Sequence, residues 1–422
     1  MLKATEVFKI NGFPEHSYVD RAETKIEQQL TDAFDIENSV VSVSGPSKSG
    51  KTVLISKIVG TDNLITIPGS AIRQPSDVWR TVLAWMGAPS EISTGKEQVF
   101  SGAVDVSGGG EIGVPLVAKG KVEGSVTGAA SRSNSTTGVL QLDPMTQVVR
   151  EIGKSDFVVF IDDFHYIPRD LQEQVAKEIK SLAEQGVKIC TASVPHRADD
   201  VVRNNPELRG RLAVVNLAYW SSEDLKNIAK TGFSSLNMDV DGTVVAKLSR
   251  EALGSPQLMQ ALCLNLCLEL NHREKKSDPT NIAASSDQLE SVLLRSSVFS
   301  DYSSLVENLH SGPRQRGTQR KTFPFSDGSE GDVYRCVLLA IAADPASQQI
   351  RYDEFLKRVR TVCVEDEPVG SSVSESLRQL ATLTEKSVPQ TAILEWDEDV
   401  LNVVEPYFLF YLRCSDKLAN LG

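Results

Sequence analysis

The sequence predicts an α/β fold with a parallel sheet at its centre, and three observations carry that prediction. Val40 to Ser44 reads VVSVS and runs through a glycine-rich octet, GPSKSGKT (Gly45 to Thr52), into a helix that continues TVLI. A second apolar run, Phe157 to Ile161, ends in two acids, Asp162 and Asp163. A third, VKICTASV at 187–194, follows an amphipathic stretch over 170–184. Apolar runs without alternation, separated by segments of helical period, are the pattern of parallel strands buried on both faces.

The octet carries the chemistry. Gly45, Gly50, Lys51 and Thr52 occupy the four defining positions of a phosphate-binding loop. Glycines let the backbone fold round phosphates and turn its N–H groups inward. Lys51 reaches the β and γ oxygens of ATP, the Thr52 hydroxyl holds Mg²⁺, and the helix that starts there points its positive end at the anion. Pro46, Ser47, Lys48, Ser49 and Val53 complete the expected nucleotide contacts. Asp162, where its strand emerges at the nucleotide edge, is expected to hold the Mg²⁺ shell. Asp163 is expected to point the other way on the pleat and to orient the attacking water. Related enzymes often use Glu there, and the shorter Asp predicts slow hydrolysis. Thr191, at or just before the end of its strand, is placed to contact the γ-phosphate or the water, with Ser193 as the fallback. A serine-rich surface turn that merely contains a lysine would leave the acid-ended strand unexplained.

The remaining elements follow in order. Residues 1–39 read as an approach segment and one helix, with Ile26, Leu30 and Phe34 on one face. Arg21 either lies near the base or caps that helix. Leu64 to Pro68 is a short strand, and Ser76 opens a helix whose Trp79 and Trp85 are assigned to the core. Within the 40–220 core, residues 99–145 are rich in Gly, Ser and Val and predict a β insertion. It is either a ribbon that projects towards a neighbour, substrate or partner, or a mobile excursion. Met145 to Glu151 reads as a short helical turn. His165 either relays the nucleotide state or is a hydrogen-bonded loop histidine. Arg197, Arg203, Arg209 and Arg211 follow the third strand. Of these, Arg211 is the choice for completing a neighbour's site at a subunit seam; surface ion pairs are the alternative.

Ser221 and Asp224 form a capping box that opens a helical lid over 221–310. The lid continues through Val244 to Ala252, a helix entered at Pro256, and helices over Asn281 to Phe299 and Asp301 to Leu309. Residues 311–322 are a basic linker in which Arg314, Arg316, Arg320 and Lys321 stand without an acid. It binds a phosphate backbone, binds an acidic face of the chain's own core, or is plain exposed linker. Residues 323–422 show three helices, a hairpin and a final aromatic helix, which is winged-helix order. The third helix offers Arg378 and Lys386 beside Glu375 and Glu385, and the wing carries Glu395, Asp397, Glu398 and Asp399. Those acids make a protein-facing role at least as good a reading as DNA binding.

Composition sets the outer bounds. A chain of 422 residues exceeds one ordinary core, so two or three domains are expected. The net charge of −12 argues against a protein that coats nucleic acid non-specifically. No stretch approaches a bilayer span, and MLKATEVFKINGF lacks the apolar centre of a signal peptide, so a cytoplasmic location without a membrane partner is expected. The scattered cysteines fit buried thiols in a reducing compartment; Cys263 and Cys267 share a helical face but lack further metal ligands nearby.

With these residues in hand, the chain resembles bacterial AAA-like ATPases close to the origin-recognition and STAND branches of the P-loop superfamily. The resemblance rests on GPSKSGKT at Gly45 to Thr52, VVFIDD at Val158 to Asp163, PELRGR at Pro206 to Arg211, GSP at Gly254 to Pro256, and the winged helix. It covers roughly Phe13 to Arg413. It implies a P-loop NTPase core with a helical lid, the Gly/Val-rich β insertion and a C-terminal winged-helix domain, working as an ATP- and Mg²⁺-dependent switch that often oligomerises. Relatives of this kind serve DNA initiation, transposition, signalling and antiphage defence. The resemblance would place Pro256 near the adenine or ribose. Three departures stand out: Asp163 in place of Glu, the unusual ribbon, and no fused nuclease or protease, which points to a separately encoded effector as partner. A DNA-binding loader or transposition helper is the alternative.

Overall fold

The computed structural model describes residues 1–88, 143–194, 208, 210–314, 320–388, 393–397 and 399–421. Among the described residues five strands form the central sheet: β1 (Val40–Ser44), β2 (Leu64–Pro68), β3 (Val158–Asp162), β4 (Lys188–Ser193) and β5 (Leu212–Asn216). Their order is β2-β3-β4-β1-β5, and every pairing is parallel. Strand β4 thus enters between β1 and β3. Register sets Ser44 beside Ser193, and Ile161 beside Thr191, so the chain leaves β1 and β3 at the same edge with one strand between them.

Alternate residues of the strands feed two cores, as the pleat requires. Val40, Ile65, Val159, Ile161 and Ile189 pack under α4 (Ser76–Trp85), α5 (Pro144–Ile152) and α6 (Arg169–Ala183). Val41, Val43, Phe160 and Cys190 face the other way, against α2 (Ile26–Asp35) and α3 (Lys51–Val59). The continuous apolar strands of the sequence are therefore covered on both sides, as expected. Trp79 is buried and its indole N–H donates to Glu178 at 2.6 Å. Trp85, assigned to the core, is instead 42% exposed and only edges against Phe157, because α4 ends there and turns its last residue outward.

A second body of helices stands on the sheet's loop edge. A short α1 (Ala4–Val7), missed in the sequence, leads Phe8 edge-on into Phe233 at 5.0 Å. The lid comprises α7 (Ser222–Ser235), α8 (Gly242–Glu251), α9 (Pro256–Glu269), α10 (Ser286–Ser297) and α11 (Ser303–Ser311). Ser221 and Asp224 form the expected capping box. The helix expected from Asn281 begins later: Thr280–Ile282 is strand β7, parallel to β6 (Met238–Val240), and Ser285 with Gln288 caps α10. Thr280 and Ile282 are β-branched and hydrogen-bond laterally before the serine cap starts a helix. Likewise Pro144 and Met145, expected within the insertion, open a helix instead. Asp143 caps the Thr146 N–H, and the expected short turn is the nine-residue α5. The rest of the insertion, together with Arg197, Arg203, Arg209 and Arg316, lies outside the described residues.

The C-terminal unit follows a small hairpin, β8 (Phe323–Pro324) and β9 (Glu330–Gly331). Helices α12 (Val333–Ala342), α13 (Tyr352–Val362) and α14 (Gly370–Ser387) precede the wing, β11 (Leu394–Asp397) and β12 (Val400–Val403). Strand β10 (Gln349–Arg351), between the first two helices, completes a three-stranded winged-helix sheet in the order β10-β12-β11. One apolar cluster runs unbroken from Leu262 and Val292 of the lid to Ile341, Leu377 and Phe408 of this unit. The last helix, α15 (Pro406–Cys414), buries Phe408, Leu409 and Phe410 in it completely. No helix among the described residues is long and apolar enough to cross a membrane.

At the end of α15, Arg413 donates to both oxygens of Glu251 on α8 at 3.2 Å, to Asp344 at 2.8 Å, and to the Ala342 carbonyl. Arg413 and Glu251 are both nearly buried. Removing one partner leaves an unpaired charge in the interior, which costs about 3–5 kcal/mol. Arg413→Met should lower unfolding stability by about 3 kcal/mol in urea titrations, and adding Glu251→Gln should restore most of the loss.

Candidate functional site

Backbone geometry builds the loop. Gly45 donates its N–H to the Ser193 carbonyl at 3.1 Å, and a Cβ there would stand only 2.7 Å from Leu217 Cβ, so no larger residue fits. Gly50 takes φ +90°, a left-handed turn that lets α3 begin at once with Lys51. Lys51 is buried, and its ammonium donates to the carbonyls of Gly45 and Pro46 at 2.8 and 2.9 Å. Burial pushes its pKa down, while Asp163 and Asp162 pull it back up.

The acids meet this loop across β4. Thr52 donates its hydroxyl to Asp162 at 2.7 Å, joining the start of α3 to the end of β3. Asp163 was expected on the opposite face of the pleat, and the structure corrects this. The strand ends at Asp162, and Asp163 turns left-handed at φ +52° and ψ +51°. A left-handed non-glycine residue at such a position is a strained one. Its N–H donates to Asp162 Oδ1 at 3.0 Å, and both acids line the same cavity. Burial raises both carboxyls above their ordinary range, and each acid has a lysine pulling the other way; the neighbouring Asp163 raises Asp162 further.

Such a site is short of positive charge. One hydroxyl and one or two carboxylates suit a hard cation bound through oxygen, with its other positions left to phosphate and water. Among the described residues no group of three His, Cys, Asp or Glu side chains is placed to hold a metal alone. The donor set therefore fits Mg²⁺ accompanied by phosphates, which Thr52 and Asp162 would hold.

A cavity of about 930 Å³ opens over the loop, between sheet, lid, N-terminal segment and winged-helix unit. Phe13 and Tyr18 stack at 5.5 Å on its wall. Arg21 also lines it, buried, with its guanidinium 4.8 Å above the Trp220 ring and a hydrogen bond to the Ala218 carbonyl at 3.2 Å. Trp220 in turn donates to the Ser49 carbonyl at 2.9 Å, so the N-terminal segment grips the loop through that indole. Pro256 also reaches the loop: its Cγ lies 3.7 Å from where a Gly50 Cβ would be, and Ser255 donates to the Lys48 carbonyl at 3.4 Å. His165 lines the cavity with its ring 4.2 Å from Tyr166.

Other expected residues are placed elsewhere. Thr191 is buried inside β4, opposite Ile161 and Ser42, and neither it nor Ser193 lines the cavity. Arg211 precedes β5 at the opposite edge of the sheet, where it pairs with Glu184. In the basic linker Arg320 bonds Asp332 at 2.7 Å and stacks on Tyr334, and Lys321 pairs with Asp366, so these two cations are engaged. Two contributors were missed. Trp220 precedes the capping box of α7 and could have been noticed as an aromatic before a helix start. Glu405 accepts a hydrogen bond from Ser47 at 2.9 Å, and no local signal links residues 358 positions apart.

No family model and no curated protein matches the chain. Among solved structures it is similar to the Walker-type ATPase PABY2304 of Pyrococcus abyssi, with 15% identity, a TM-score of 0.51, and coverage of 96% of this chain and 99% of that one. It is also similar to the ORC2 protein of Aeropyrum pernix, described in ADPNP–ADP complexes, with 11% identity, a TM-score of 0.51, and coverage of 100% and 99%. These likenesses show the fold: a P-loop NTPase sheet flanked by helices, with further helices after it.

Because Asp162 is held above its ordinary range, the folded state favours its protonated form. That contribution is present in full below about pH 4 and is lost as pH rises through the raised value. In EDTA, Asp162→Asn should therefore melt higher than wild type near neutral pH, with the gap closing towards about pH 4. A gap that widened on acidification would contradict the burial argument.

Proposed function

We propose that the chain is an ATP-binding and ATP-hydrolysing regulatory switch that works as an oligomeric scaffold. The observation that carries this reading is the Thr52–Asp162 hydrogen bond beside the buried Lys51, which sets a cation site and a phosphate cradle side by side. In this reading the loop from Gly45 to Val53 wraps the phosphates, and Lys51 exchanges its carbonyl partners for phosphate oxygens. Thr52 and Asp162 hold Mg²⁺, whose chemistry is to neutralise phosphate charge. Asp163, held over the same cavity, orients the attacking water and takes its proton. Phe13, Tyr18, Arg21 and Pro256 surround the base and ribose.

Arg211 serves a neighbour's site in this reading, since it stands at the far edge from its own loop and would have to leave Glu184. Thr191 acts only through the strand it braces. A separately encoded effector, in an antiphage setting or another signalling one, is the partner class that an acidic winged-helix surface suits. ATP with Mg²⁺ should bind wild type and raise its solution mass; Lys51→Ala should lose both in calorimetry and light scattering. Asp163→Ala should keep binding and lose phosphate release by about 10²-fold or more. Unchanged ATP binding in Lys51→Ala would sink the assignment.

The winged-helix order supports a second reading, a DNA-binding loader. Its third helix, however, pairs Arg378 with Glu375, and the wing presents Glu395, Asp397 and Asp399. Filter binding with ATP across a salt series decides between them. Phosphate contacts demand a steep loss of affinity with salt, and the charge distribution leads us to expect no retention of duplex DNA even at low salt.

A further inference from the structure

Helix α15 begins against the phosphate loop. Glu405 caps α15 by accepting the Tyr407 N–H at 3.2 Å through one oxygen, while the other accepts the Ser47 hydroxyl at 2.9 Å. It is 4% exposed, and Val404 and Tyr407 line the loop cavity with it. Tyr407 brings a buried hydroxyl that has no hydrogen-bond partner. Pro406 fixes the first turn, and the far end of the nine-residue helix is fastened to the lid through Arg413 and Glu251. One rigid element therefore runs from the third residue of the loop to the lid. Burial raises the Glu405 carboxyl above its ordinary range, and the facing Lys48 and Lys51 pull it back down towards the anion.

Resting on the reading that this loop takes a nucleoside triphosphate, we propose that Glu405 is a charge latch. The Glu405 carboxylate and an entering phosphate chain compete for Ser47 and for the two lysines, so that occupancy of the loop unseats the start of α15. Because α15 is also the centre of the winged-helix core, the unit it carries is loosened with it. Coupling of this kind is reciprocal: docking weakens phosphate binding by the same factor by which phosphate weakens docking. Neutralising the acid while keeping its shape and its acceptor oxygen separates the two events.

The test is amide hydrogen exchange over Tyr407 to Leu412, with and without ATP and Mg²⁺, alongside calorimetric affinities. In wild type, ATP should speed exchange of these amides. Glu405→Gln should bind ATP about tenfold more tightly, within the usual range of coupling between sites, and keep the helix protected when ATP is bound. Binding by the variant alone would support the latch in its strongest form. Wild type that binds ATP with no change in α15 exchange would overturn the latch and leave the nucleotide site standing; this arm needs no variant. Equal or weaker binding by Glu405→Gln would make Glu405 a support for the loop, and overturn the latch too. Failure of both proteins to bind ATP would remove the site and the latch together.

Discussion

Everything in this molecule answers to one constraint: charge has been gathered at the edge of a parallel sheet and taken out of water. Lys51, Asp162 and Asp163 converge there because β4 sits between β1 and β3 and sets the ends of both strands at one level. Buried ionised groups are costly unless they are paired or hydrogen-bonded. The loop meets that demand with its own carbonyls on Lys51 and with Thr52 on Asp162. The remaining imbalance is visible in carboxyls held above their ordinary range. A polyanion with a divalent cation is the ligand class that such a balance admits.

The elements around the edge wall in the cavity above it. Arg21 on Trp220, and Trp220 on Ser49, close one side; Ser255 and Pro256 close the lid side; Glu405 and Tyr407 close the third. These closures come from four separate stretches of chain, so the site's shape depends on how the lid and winged-helix unit seat. That seating is apolar for the most part, through a core the two share, with Arg413 and Glu251 as its buried polar contact. A change at the loop is thus mechanically connected to the surface of the winged helix, by way of α15.

Legibility in the sequence followed range. The loop, its strand and its helix are contiguous, and the acid-ended strand declares itself by an unbroken apolar run, so the heart of the site could be read directly. The winged-helix order was also legible, since each helix carries its own period. Strand β7 was not, because Thr280 and Ile282 owe their extended form to a partner some forty residues earlier. The turn at Asp163 reverses the expected side of its carboxyl, and alternation along a strand says nothing about the residue after the strand ends. Glu405 was beyond reach for the plainest reason: its meaning lies in Ser47, at the other end of the chain.

The shared core has a consequence for how the protein is made. Synthesis is directional, and the sheet is complete in the nascent chain once Asn216 has been added. Phe408, Leu409 and Phe410, which fill the middle of the second core, follow only after the lid and α12 to α14 have been made. Until they do, the lid and the first winged-helix elements carry uncovered apolar surface, the condition that invites aggregation and chaperone capture. A ribosome that stopped short of Pro406 would release a chain with an intact sheet and loop but an open core. Helix α15 therefore acts as a keystone in synthesis, since the second core cannot close until that helix has been translated.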